Sequence, residues 1–222
     1  MKRAFDFIAV LLAAPLWVPL AAAVALAVLV LEGRPVFFVQ ERAGLHGRPF
    51  RIVKFRTMRG GEGADSERLG RFGRFLRASS LDELPELFLV LVGTMSLVGP
   101  RPLPTRYLPR YSPEQMRRHN AMPGVTGWAQ VHGRNDIDWE KKLDYDLQYL
   151  EKITFWGDLK LIFQTVFKVL KREGITEVGS ASGEDYGDYL LNRGKVSPED
   201  YEAKQAEARE ILGQRSSIGS KQ

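Results

Sequence analysis

Residues 7–31 are 25 consecutive positions without a charged side chain, and any fold of this chain must place them out of water. As one straight helix they would run roughly 37 Å at about 1.5 Å per residue, enough to cross a hydrocarbon core of about 30 Å. Pro15 and Pro19 fall in the middle of the run. Each removes a backbone donor and crowds the carbonyl one turn earlier. If the helix breaks there, the arms on either side have only about 12 residues, roughly 18 Å each, and neither spans.

The flanks carry the same message. Lys2 and Arg3 precede the segment, and Arg34, Arg42, Arg48, Arg51 and Lys54 follow it. Basic flanks prefer the cytoplasmic side, so both ends belong inside. A re-entrant helix, broken at Pro15 and Pro19 and confined to one leaflet, satisfies the prolines and the charges together. A kinked transmembrane helix is the main competing reading, because proline kinks are common in membranes. A cleaved signal peptide fits less well: Lys2, Arg3 and Ala21-Ala22-Ala23 would supply its parts, but residues 24–31 would leave an unusually apolar mature start.

The remainder is long enough for one sizeable core. The expected organisation is a membrane helix over 1–33, a catalytic domain over 34–174 and a polar extension over 175–222. Cysteine is absent, so disulfides and thiolate zinc sites are excluded, and His46, His119 and His132 alone supply a zinc site poorly. Residues 1–60 hold nine basic groups against three acids. Beside an apolar segment, that excess points to an anionic membrane or a phosphorylated substrate, and no nucleic-acid motif accompanies it.

Residues 36–40 and 50–55, rich in β-branched and aromatic side chains around a loop at 43–47, predict a small β-hairpin. Residues 60–66 have loop composition. Over 67–78, Leu69, Phe72, Phe75 and Leu76 share one helical face against Arg68, Arg71, Arg74 and Arg77. That pattern suits a lipid headgroup layer or the lid of a core equally, and Gly70 and Gly73 weaken the helix. Over 159–170 the i, i+3, i+4 spacing predicts a firm helix that faces either core or lipid. Ser197-Pro198-Glu199-Asp200 has the form of an N-cap, a first-turn proline and first-turn acids, opening a helix to about Leu212. The class is mixed α/β, mostly helical around a small hairpin, with amphipathic interface helices.

The chemistry centres on Ser80-Leu81-Asp82-Glu83. As pure structure this reads as a capping box, Ser80 with Glu83, with acids in a first helical turn. A helix N-terminus also holds an aspartate ionised, so cap and nucleophile can be one site. A carboxylate attacking a diphosphate needs its repulsion from the substrate relieved, by a divalent cation and by arginines such as Arg77 and Arg101.

Five blocks then occur in order: Lys2-Arg3-Ala4-Phe5-Asp6-Phe7, Lys54-Phe55-Arg56-Thr57-Met58, Leu81-Asp82-Glu83-Leu84, residues 95–102 ending Gly99-Pro100-Arg101-Pro102, and residues 123–131 from Pro123-Gly124 to Val131. Together they resemble the bacterial sugar transferases, or monotopic phosphoglycosyl transferases, of the small minimal-domain type, over about residues 2–174. The resemblance implies a two-step reaction at the cytoplasmic face of the bacterial inner membrane. Asp82 attacks the β-phosphate of a UDP-sugar, releases UMP and keeps the phosphosugar, which polyprenol phosphate then collects. It implies Glu83 as the acidic partner, Mg2+ at Asp82 and Glu83, phosphate contacts from Lys54, Arg77 and Arg101, and weaker substrate contacts from Gln130, Arg134 and Trp128. Trp128 serves equally well as a buried anchor. The chain departs from the family pattern at Val18, where relatives often place Ser before Pro19, at Met122, and at His132, where many have Asn. The sugar and the oligomeric state are not legible. A non-catalytic module binding anionic lipid, and a hydrolase releasing sugar phosphate to water, are the alternatives of other classes.

Overall fold

A computed structural model describes residues 1–60, 65–133, 137–171 and 184–219. Helix α1 spans Lys2–Leu31 with Pro15 and Pro19 inside it. Where the prolines predict two arms, one helical element is found. Proline's fixed φ is itself helical and each ring removes a single i→i−4 bond, here at the carbonyls of Leu11 and Pro15. An apolar backbone with no better partner keeps the remaining bonds.

One face of α1 is buried along its length, at Asp6, Val10, Trp17, Ala21, Val24 and Val28, spacings of three, four and seven that share a stripe. The opposite face, including Leu12, Leu16, Leu26 and Val30, is exposed.

The hairpin forms as expected but runs further. Strands β1 (Phe37–Ala43) and β2 (Pro49–Phe55) pair antiparallel from Phe37↔Phe55 to Ala43↔Pro49. The amphipathic segment at 67–78 is two pieces, α2 (Asp65–Arg68) and α3 (Arg71–Ala78), separated at Gly70, whose extended backbone caps α3. Gly73 belongs to the second piece for a steric reason, since a Cβ there would lie 1.9 Å from the Thr57 carbonyl oxygen. Leu76 is buried while Phe75 on the same helix is exposed.

Helix α4 (Glu86–Leu91) follows. Strands β3 (Ser96–Val98) and β4 (Gly124–Thr126) form a small parallel sheet that no sequence pattern announced. The short helices α5 (Pro113–Met116) and α6 (Trp128–His132) lie on either side of β4 in the chain, and α7 (Trp139–Glu151) and α8 (Phe155–Lys171) come after them. Helix α8 divides its apolar residues: Leu161 is buried, whereas Trp156, Phe163, Val166 and Phe167 are exposed. The extension supplies α9 (Tyr186–Asn192) and α10 (Pro198–Gly219), the latter longer than its first-turn signals predicted.

Both ends of α1 are tied to the rest of the fold. Near its start Lys2 pairs with Asp158 of α8, Arg3 donates to the Val90 and Leu91 carbonyls at the end of α4, and Asp6 accepts from Ser96 Oγ at 2.7 Å. Beyond its last turn, Arg56 donates to the carbonyls of Glu32 and Arg34. Between these, Trp17 meets Phe88 of α4 edge to face at 4.7 Å between ring centroids, a contact worth about 0.5–1.5 kcal/mol beyond its buried area.

Candidate active site

The carboxylates arise where the chain turns from α3 into α4. Ser79 and Ser80 end α3, and Ser80 adopts a left-handed conformation with φ 54°. This overturns the expected capping box: the Ser80 side chain caps nothing, and Leu81–Glu83 is a single 3-10 turn rather than the start of an α-helix. The reason is Pro85, at the N-cap position of α4, which has no N–H to donate to the Leu81 carbonyl; that carbonyl accepts from Leu84 N at 3.4 Å instead, and the turn stays 3-10. Asp82 and Glu83 therefore stand in a tight turn ahead of α4, with Glu86 one turn further on.

Three cations converge on this turn from separate elements. Lys54, near the end of β2, places Nζ 2.5 Å from Glu83 Oε1 and 3.2 Å from Glu86 Oε1. Arg101 donates through Nη2 to the same Glu83 oxygen at 2.7 Å. Arg77, from the last turn of α3, donates through Nε to Thr57 Oγ1 at 2.9 Å, and its charge acts on Asp82.

Arg101 sits in a loop held by its carbonyls. Proline has no N–H to anchor a loop, so Pro100-Arg101-Pro102 depends on donors brought to it. The Pro100 carbonyl accepts from Gly124 N at 3.0 Å, the Arg101 carbonyl from Arg118 Nη2 at 2.7 Å, and the Pro102 carbonyl from Arg42 Nη1 at 3.4 Å. Arg118 is fully buried and gives two more hydrogen bonds to Asp146 Oδ2, at 3.0 and 2.6 Å. The loop is fixed while the Arg101 side chain stays 42% exposed, open to a ligand.

The electrostatics divide the acids. Burial alone would raise Glu83, but Arg101 and Lys54 outweigh it and hold this carboxyl well below the usual range. Asp82, 8% exposed, is pushed up to about 6 by burial and then by the negative Glu83, with Lys54, Arg101 and Arg77 opposing. Burial and Glu83 push Glu86 up to about 7. Arg42 falls to about 10 through burial and the charge of Arg101.

Crowded carboxylates are the setting in which a divalent cation helps. Among the described residues there is no cluster of three or more acidic, histidine or cysteine ligands. Mg2+ is commonly held by one or two carboxylates together with substrate phosphates, and the hard oxygens of Asp82 and Glu83, partly uncompensated as the raised Asp82 attests, suit that arrangement.

Gln130 and Trp128 find their partners away from this turn. Gln130 spends its amide N–H on the Val125 carbonyl at 3.0 Å. Trp128 stacks on His132 at 4.0 Å and packs against the Val98, Val131 and Leu161 cluster, so it is an anchor in this fold. His132 donates through Nδ1 to the Trp128 carbonyl, 2.9 Å away, and lines an open recess of about 250 Å³ with Gln164, Lys168 and Lys171. Arg134 lies outside the described residues.

Sequence reasoning missed Glu86, Arg118 and Asp146, and the support that Arg42 gives the loop. Glu86 carried a usable signal, being four residues after Asp82 at the head of an apolar run. The Arg118 and Asp146 pair, 28 residues apart, carried none.

A family model described as bacterial sugar transferase matches residues 1–172. The chain is 50% identical over 160 residues to a protein of Bacillus subtilis called uncharacterized sugar transferase EpsL, covering 69% of this chain and 79% of that one. It is 42% identical over 185 residues to a UDP-glucose:undecaprenyl-phosphate glucose-1-phosphate transferase of Caulobacter vibrioides, covering 76% and 69%. An Escherichia coli protein of the same name is 39% identical over 184 residues, but the match spans only 40% of its length. Helix α1, the hairpin and every residue of the charged turn fall inside the matched region, and the chain belongs to the bacterial sugar transferase family.

Proposed function

We propose that this protein transfers a phosphosugar from a UDP-sugar to a polyprenol phosphate, undecaprenyl phosphate in bacteria, through a covalent intermediate on Asp82. The observation that carries the reading is a desolvated, reachable aspartate beside cations already fixed on its neighbour: Asp82 is 8% exposed, and Lys54 and Arg101 meet at Glu83. The names of the relatives described above supply the substrate classes.

In the first step an Asp82 carboxylate oxygen attacks the phosphorus that bears the sugar. The bond from that phosphorus to the bridging oxygen breaks, and UMP departs with the electron pair. In the second step a phosphate oxygen of the polyprenol attacks the same phosphorus, the bond to Asp82 breaks, and the carboxylate is restored. A covalent intermediate lets one site serve a dissolved donor and a lipid acceptor in turn. Lys54, Arg77 and Arg101 neutralise phosphate charge as it approaches, and their prior fixation avoids reorganisation during the reaction. Mg2+, held by Asp82 and Glu83 with the substrate phosphates, would supply further charge neutralisation.

The same reading puts α1 in one leaflet of the inner membrane as a re-entrant element, with the domain on the cytoplasmic face. Its support is that Lys2, Arg3 and Asp6 at one end and Glu32 and Arg34 at the other all contact the same domain.

The test supplies a panel of UDP-sugars with Mg2+ and polyprenol phosphate and measures UMP. Native protein releases UMP with at least one donor, and Asp82→Asn releases almost none. Unchanged release in the variant refutes the nucleophile. Release that yields free sugar phosphate and ignores the acceptor identifies a hydrolase instead.

A further inference from the structure

The segment after residue 172 lies beyond the family match, yet its described part is built into the wall behind Arg101. Asp185 caps α9 through Gly187 N at 2.8 Å and receives Arg106 at 3.0 and 2.7 Å and Tyr107 OH at 3.1 Å on its other oxygen. The Glu184 carbonyl accepts from Trp139 Nε1 at 3.0 Å. Tyr186 and Tyr189 are each 2% exposed, in one cluster with Tyr107, Tyr111 and Leu143. Gly187 passes so close to Arg110 that a Cβ would come within 2.7 Å of its Nε. Helix α10 closes over the same stretch, with the Arg110 guanidinium over the Tyr201 ring at 5.8 Å.

What these residues grip is the continuation of the Pro100-Arg101-Pro102 loop, the 3-10 segment Thr105–Arg110. A second route runs through side chains. Tyr186 lies 5.6 Å from Tyr111 between ring centroids, Tyr111 has the Arg118 guanidinium 5.9 Å from its centroid, and Arg118 donates to the Arg101 carbonyl. Arg101 in turn holds Glu83. Buried aromatic packing has few alternative arrangements, so a group at the end of such a chain keeps its place only while the chain is filled.

We propose that residues 184–208 form an intramolecular brace that sets Arg101 for the donor's phosphates, with Tyr186 as a positioning residue acting through Tyr111 and Arg118. The proposal rests on the phosphate-binding role of Arg101 given above. A polar tail with no such task has no need to bury two tyrosines against the loop that carries a site arginine.

The experiment is a double-mutant cycle on UMP release by the full chain. Tyr186→Ala raises the donor KM about tenfold, a loss typical of a site group displaced by a remote change, while Tyr186→Phe stays within about twofold. In an Arg101→Lys background the further effect of Tyr186→Ala drops below about twofold, since the guanidinium it positions is gone. An equal penalty in both backgrounds, or none in the native one, overturns the brace. Amide hydrogen exchange over residues 99–103, measured without substrate, must quicken in Tyr186→Ala and not in Tyr186→Phe. Unchanged exchange overturns the brace whatever reaction the site performs, whereas unchanged UMP release by Asp82→Asn strikes only the proposed function. If Tyr186→Ala does not fold, Arg106→Gln, which loosens Asp185 from the surface, goes through the same cycle, and the same outcomes support or overturn the brace.

Discussion

Asp82 and Glu83 are consecutive in the chain and opposite in acidity: cations hold Glu83 ionised, and that ionised Glu83, added to burial, raises Asp82 to about 6. In the proposed function it is the ionised Asp82 that attacks phosphorus. Adduct formation measured by single-turnover mass spectrometry rises with pH and levels off, with a midpoint of about 6 at limiting Mg2+ that falls as Mg2+ saturates the pair. Glu83→Gln removes the repelling charge, so the midpoint moves to lower pH even as the rate falls. A midpoint that stays put shows that Glu83 does not set it.

Lys54 is shared by Glu83 and Glu86 before any substrate arrives. Lys54→Met removes a fixed cation at the phosphates and lowers kcat by about 10²–10³, the scale seen when one preorganised stabilising donor is lost. Steady-state UMP release measures it, and a change confined to KM points to ground-state binding alone.

His119 is 4% exposed, meets the Gly44 carbonyl at 3.2 Å through Nδ1, and leaves Nε2 buried without a partner. Burial, then the neighbouring Arg118 charge, lowers it to about 4. The unfolded chain takes up this proton near pH 6.5 and the folded chain only near 4. This contribution to stability is complete above about 6.5 and is lost as pH falls towards 4. Thermal unfolding between pH 4 and 7.5 follows that slope, and His119→Gln flattens part of it.

The chain contains no cysteine, so single cysteines report topology without background. Ala4→Cys and Arg34→Cys, both at exposed positions flanking the apolar run, are labelled by an impermeant maleimide from the same side of oriented vesicles. Labelling from opposite sides identifies a transmembrane helix.

Local pattern disclosed most elements and little of their assembly. The hairpin and α8 were legible because β-branched and aromatic runs around a loop, and 3.6-residue spacing, are written within a few turns. The capping box at Ser80 was misread because its residues suit a cap and only Pro85, two residues beyond Glu83, displaces the helix start. Gly73 looked like a weakness in a helix, and its purpose, contact with the Thr57 backbone, depends on a neighbour 16 positions away. Asp82, Glu83, Lys54 and Arg101 were named from ordered motifs and Arg77 from its place five residues before Asp82, and the fold brings them to one turn. The supports of that turn, Arg118 with Asp146 and the tyrosines of α9, were invisible for the opposite reason: nothing in their own surroundings marks them.

The join between α1 and α4, made by Trp17 on Phe88 and by Arg3 on the last carbonyls of α4, acts as a ruler. In the proposed function, because α4 continues directly from the turn bearing Asp82, the elevation of the reacting oxygen above the lipid follows how deep the apolar helix settles. A bilayer that lifts or tilts that helix carries the chemistry with it, so acyl-chain length becomes a control on whether the head of a lipid-borne acceptor meets its target.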